Sequence, residues 1–144
     1  MLATKILIAY NGTDLADQAV QLAKKVVEGY EQIVIDLLYI VQTPSTLVQF
    51  AGASQVCESS MEQLIQDGEA ILHQGKRLFA DLPNKVETHI AHGDATTEII
   101  QHIEDSHIDL LIMGSRGLKG VKEKMSSVSH RVLQQSPIPV LMAK

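Results

Sequence analysis

A chain of 144 residues has length for one well-buried core and not for two ordinary domains, so residues 1–144 are expected to form a single domain. With 45% apolar residues, few aromatics and no tryptophan, disorder is excluded and the core must be built from Leu, Ile, Val, Ala and Met. A lone cysteine, Cys57, rules out an internal disulfide framework or a multi-thiolate metal site, and a net charge of −5 argues against a general nucleic-acid surface.

The stretch Lys5 to Tyr10 is short, apolar and β-branched, and it stops at Asn11, Gly12, Thr13 and Asp14, which read as a turn and a helix N-cap. No cleavage pattern precedes it and no apolar run approaches ~18 residues, so a cytoplasmic protein without membrane insertion is expected. Leu15, Ala19, Leu22, Ala23 and Val26 then fall on one helical face, with Gly29 placed to end the helix.

Ile33 to Val41 is a long apolar run with a single charge, as expected of a strand covered on both faces. From Gln42 to Ser60 the Pro, Gly and Ser content and the lack of a sustained period predict a long connection. Met61 to Phe79 carries one apolar stripe that includes Gly68 and Gly75, and two glycines there predict close packing of this helix on the sheet.

Val86 to Ile90 alternates in the manner of a half-exposed edge strand, and Asp94 is placed to cap a helix bearing Ile99, Ile100 and Ile103. Ile108 to Met113 is almost continuously apolar, hence a central strand, and it ends at Gly114. Ser126 and Ser127 are placed to cap a last helix with Val128, Val132 and Leu133, and Val140, Leu141 and Met142 form a final short strand behind Pro139.

Alternating strands and helices predict a doubly wound, five-stranded parallel α/β sheet of order 3-2-1-4-5, with helices on both faces. In such a sheet ligands collect at the carboxyl ends of the strands where the order reverses. Those ends are Tyr10 to Thr13 and Gly114 to Gly117. Between Gly114 and Arg131 five basic residues (Arg116, Lys119, Lys122, Lys124, Arg131) face one acid, Glu123. A strand ending in Gly-x-x-Gly, a basic loop and serines at a helix start together make an anion site, for which polyphosphate is a natural guest. A tight turn beside a solvated basic loop is the plainer alternative.

The run Met113-Gly-Ser-Arg-Gly-Leu-Lys-Gly-Val-Lys, then Ser127 to Leu133, then Pro139-Val140-Leu141, resembles the C-terminal signature of the universal stress protein family. Ile6 to Ala9, Leu37 to Val41, Gly93 to Ala95 and Glu98 to Ile100 sit where the family has equivalent segments, so the resemblance covers the whole chain. It implies a domain of the adenine nucleotide alpha hydrolase-like type, a homodimer through the Val140, Leu141, Met142 strand, and an ATP- or AMP-binding subclass beside a subclass that binds no nucleotide. The nucleotide subclass carries Gly-x2-Gly-x9-Gly-Ser/Thr, of which Gly114 and Gly117 match the first half. Ser127 and Val128 stand at the second half by strict counting, or Ser126 and Ser127 if one loop residue is deleted. The strand-one Asp common in the family is Asn11 here, which keeps an acceptor and weakens any role for Mg2+.

Carried onto this sequence, the resemblance places the base near Ala9, Tyr10, Asn11 and Val41, and the phosphates near Met113, Gly114, Arg116, Gly117, Ser126, Ser127 and Val128. No catalytic constellation stands out, and any ATP hydrolysis is expected to be slow and incidental. The six histidines (His73, His89, His92, His102, His107, His130) lack zinc-motif spacing and read as surface or cap residues. The Walker pattern and Gly-x-Gly-x-x-Gly are absent, and the acids of a response-regulator receiver are missing at Asn11 and His92.

Overall fold

In a computed structural model, residues 4–42, 54–114 and 127–143 are described, residues 54–60 and 127 by backbone alone. Strand β1 (Lys5–Ala9) buries three consecutive residues, Ile6, Leu7 and Ile8, as a strand does when helices cover both of its faces. Helix α1 (Asp14–Val26) leads to β2 (Val34–Val41), and α2 (Ser54–Arg77) to β3 (Val86–His92). Helix α3 (Ala95–Asp105), β4 (Leu110–Gly114), α4 (Ser127–Gln135) and β5 (Val140–Ala143) complete the described elements. The five strands form one sheet in the order β3-β2-β1-β4-β5, every neighbouring pair parallel, as expected from the alternation.

Strand periodicity divides the core into two layers. On one face Ile6, Ile8, Tyr10, Ile35, Leu37 and Ile112 pack under α1 and α2. On the other, Leu7, Leu38, Leu111 and Met113 pack under Ile99 and Ile103 of α3 and Val132 of α4. Each such side chain contributes about 1.5–3 kcal/mol on burial, so the aliphatic layers dominate the driving force.

The two glycines of α2 answer to aromatic rings rather than to the sheet backbone. A methyl group on Gly68 would lie 2.5 Å from the Tyr39 ring, and one on Gly75 would lie 2.7 Å from the Tyr10 ring. Tyr10 and Tyr39 stand on the α2 face of the sheet, and only a helix lacking Cβ at these positions settles over them.

Several element boundaries differ from expectation, and three of the differences have a plain physical reason. Helix α2 begins at Ser54, so the end of the expected Gln42 to Ser60 connection is helical; its polar residues offered no apolar period to read. Helix α1 closes at Val26 with Val27 as C-cap, and Gly29 (φ +83°) serves the turn beyond. Strand β3 continues to His92 because its backbone pairs with β2 as far as Val41. Among the described residues no helix is long and apolar enough to cross a membrane.

Candidate functional site at the tips of β1 and β4

In the order β3-β2-β1-β4-β5 the chain passes from β1 toward β2 on one side while β4 lies on the other side of β1, so the tips of β1 and β4 form the switch point where sheets of this kind have their ligand crevice. The tips adjoin through the pairing of Ile8 with Ile112. Gly114, the last residue of β4, rests on the first turn of α1: a Cβ there would meet the Leu15 carbonyl oxygen at 2.5 Å. The glycine is thus required by strand-on-helix contact, a reason separate from anion access.

On the β1 side, the Tyr10 N–H donates to the Leu38 carbonyl at 2.8 Å and carries the ladder one residue past Ala9. The Tyr10 side chain is fully buried and its hydroxyl donates to Asp17 Oδ1 at 2.8 Å. Burial, followed by the hydrogen bond and charge of Asp17, pushes this phenol up to about 12. Tyr10 therefore anchors the tip from below, with its ring turned into the core.

Asn11 is exposed, and its Oδ1 accepts from the Thr13 N–H at 3.1 Å and from the Thr13 hydroxyl at 2.6 Å, a side-chain turn of the kind Asn makes two residues on. Gly12 supplies the positive φ (+78°) that this turn needs. Thr13 is the N-cap of α1, its oxygen accepting from the Ala16 N–H at 3.4 Å. Asp14 and Asp17 occupy the first turn of α1, so its positive end is already compensated by acids.

The β4 side is different. Helix α4 starts at Ser127 with no acid in its first turn, so its N-terminal amides keep their positive field. Val128 is half-buried against the second core layer, and Met113 is buried in it. Val41 lies at the carboxyl end of β2, buried, its carbonyl accepting from the Gly93 N–H at 3.0 Å. Of the remaining expected site residues, Arg116, Gly117 and Ser126 lie outside the described residues, as does the side chain of Ser127.

A second polar cluster escaped the sequence reading. The one charge of β2, Asp36, is 0% exposed, and each of its carboxylate oxygens meets an imidazole: Oδ1 lies 2.7 Å from His89 Nδ1 and Oδ2 lies 2.8 Å from His102 Nε2. Burial pushes this carboxyl up, but the hydrogen bonds of His102 and His89 and their charge outweigh it and hold it below the ordinary carboxylate range. His89 and His102 are thus partners of a buried acid and not plain surface or cap residues. The signal was present: a lone acid in an otherwise apolar central strand must be paired when buried.

The universal stress protein family model matches residues 3–144. Universal stress protein YxiE of Bacillus subtilis is 32% identical over 150 residues, covering 97% of this chain and 98% of that protein. The structure of MJ0577 of Methanocaldococcus jannaschii is similar with a TM-score of 0.84 at 24% identity, covering 100% of this chain and 97% of that one. A universal stress protein family protein from Arabidopsis thaliana with AMP bound is similar with a TM-score of 0.71 at 18% identity, covering 98% of this chain and 91% of that one. At these identities the two structures speak for the fold.

Proposed function

The chain belongs to the universal stress protein family, and on that footing we propose that it is a dimeric sensor or regulator that binds an adenine nucleotide, ATP or AMP, at the tips of β1 and β4. The observation that carries this reading is the polarity of the crevice. Its β1 side ends in Asn11 above an acid-compensated helix, and its β4 side ends in Gly114 and the acid-free N-terminus of α4. Adenine and ribose suit the first side, near Ala9, Tyr10, Asn11 and Val41. Phosphate suits the second, near Met113, Gly114, Ser127 and Val128 with Arg116, Gly117 and Ser126 of the intervening loop. The AMP-bound Arabidopsis relative supports a nucleotide as guest.

In this reading binding is the function and any ATP hydrolysis is slow and incidental. A twin chain pairs through β5, the terminal strand of the sheet among the described residues, where Leu141 is 37% exposed. Nucleotide occupancy then alters the partner surface carried by that dimer.

A second reading, a nucleotide-free dimer acting through protein contacts, is favoured by one observation. The Asn11 oxygen already has both Thr13 donors, so its side chain is engaged in capping the turn. Calorimetric titration with ATP and with AMP separates the two. A saturable heat at one nucleotide per chain supports the sensor, and no heat at millimolar nucleotide overturns it in favour of the nucleotide-free dimer.

A further inference from the structure

Asp36, His89 and His102 come from three different elements, β2, β3 and α3, and converge at side chains that the nucleotide reading does not use. The three donor atoms, one carboxylate oxygen and one nitrogen from each ring, all lie within 4.8 Å of one another, and the rings stand 4.9 Å apart between centroids, tilted by 55°. We propose that these three side chains form a binding site for one divalent transition-metal ion of the zinc class.

The donor chemistry selects that class. Two imidazoles and one carboxylate suit a borderline-soft divalent ion, and without thiolates they do not favour copper(I) or an iron–sulfur cluster. A magnesium or calcium ion would call for more oxygen ligands than one carboxylate supplies.

Geometry and charge agree with the chemistry. Metal bonds of about 2.0–2.1 Å in a tetrahedral shell separate donor atoms by roughly 3.3 Å. His89 Nδ1 lies 2.7 Å from Oδ1 and His102 Nε2 2.8 Å from Oδ2, so the pair that includes the ligating oxygen opens modestly, and the remaining separations, none above 4.8 Å, close by less than the length of one bond to the metal. The Asp36 carboxyl is fully buried in the sheet, and among the described residues the side chains meeting its oxygens as ion-pair partners are the two imidazoles. Lys5 and Lys85 each lie 3.9 Å from Glu87, the β3 residue that pairs with Asp36 in the sheet.

The site is also reachable. His102 is 13% exposed at its side chain, but His89 on the edge strand is 41% exposed, which gives an entry path and leaves water to fill the fourth position. Three protein ligands with one open position is the arrangement of zinc sites that keep a solvent ligand.

The test uses the intact chain and zinc ion alone, in competition with a chromophoric chelator. The expected result is one zinc per chain, weakened roughly 100-fold or more in His89→Gln and in His102→Gln, since loss of a direct ligand exceeds the 10–100-fold of an outer-shell change. His73→Gln, on α2, leaves the affinity as it was. Because a variant at the buried end can misfold, the wild-type protein is also read by long-range nitrogen NMR of its imidazoles. Zinc shifts His89 Nδ1 and His102 Nε2 while the other four histidines stay in place. No stoichiometric zinc binding, or zinc that shifts other histidines instead, overturns the proposal and leaves the trio a hydrogen-bonded clamp between β2, β3 and α3.

Discussion

The contact between Gly114 and α1 predicts that Gly114→Ala is among the most damaging single-methyl changes available to this chain. The added Cβ meets the Leu15 carbonyl oxygen at 2.5 Å and the carbon bearing it at 2.9 Å. These are backbone atoms of the first turn of α1, so no rotamer change relieves the clash. Relief requires α1 to move off β4, and α1 buries Ala16, Ala19, Val20 and Ala23 in the core. Overpacking typically costs 1–3 kcal/mol, and a backbone neighbour places this case near the top, at about 3 kcal/mol. For a chain of this size that lowers Tm by roughly 6–12 °C. Gly29→Ala is the control: its Cβ has nothing within 4 Å, so only its φ of +83° is penalised, by about 1–2 kcal/mol. Urea unfolding followed by circular dichroism measures both. A Gly114→Ala protein as stable as wild type, or no less stable than Gly29→Ala, refutes the reasoning.

Gly75→Ala gains about 1 kcal/mol of helix propensity but drives a methyl into the buried Tyr10 ring, so it is expected to be destabilising by about 1 kcal/mol net and to become stabilising in a Tyr10→Ala background; equal effects in both backgrounds contradict the ring contact. Because the folded Tyr10 phenol titrates at about 12 against an ordinary value of 10.0, its contribution is fully present below the unfolded value and is lost as pH rises through the folded one. Stability of wild type should therefore fall more steeply over that alkaline window than stability of Tyr10→Phe, with one tyrosine ionising late in an absorbance titration. Leu141→Lys puts a charge on the outer strand proposed to pair with a twin, and light scattering should report half the wild-type mass.

The sheet order was legible because burial on both faces leaves an uninterrupted apolar run. Ile6 to Ile8 and Leu110 to Met113 show such runs, and the alternation of Val86 to Ile90 marked an edge. Local capping chemistry was legible at Asp94, and the N-cap expected within Asn11 to Asp14 proves to be Thr13; the oxygens of both accept from backbone amides three residues on. What escaped was long-range. His89 and His102 lie 53 and 66 residues from Asp36, so no spacing rule joins them; only the fold does. Gly75 read as a packing residue without revealing that its neighbour is the Tyr10 ring, because that contact needs the crossing of α2 over β1. The strand ends put Asn11 just past β1 and Gly114 at the end of β4, whereas the use of the Asn11 oxygen by Thr13 depends on the turn's three-dimensional form.

The most direct test of the account is a titration of isotopically labelled protein with AMP, followed through its backbone amide signals. Saturable shifts concentrated at Asn11, Gly12, Gly114 and Ser127 are predicted, since the base lies against one strand tip and the phosphate against the other. Amide signals that stay put at millimolar AMP, or that move on another face of the sheet, contradict it.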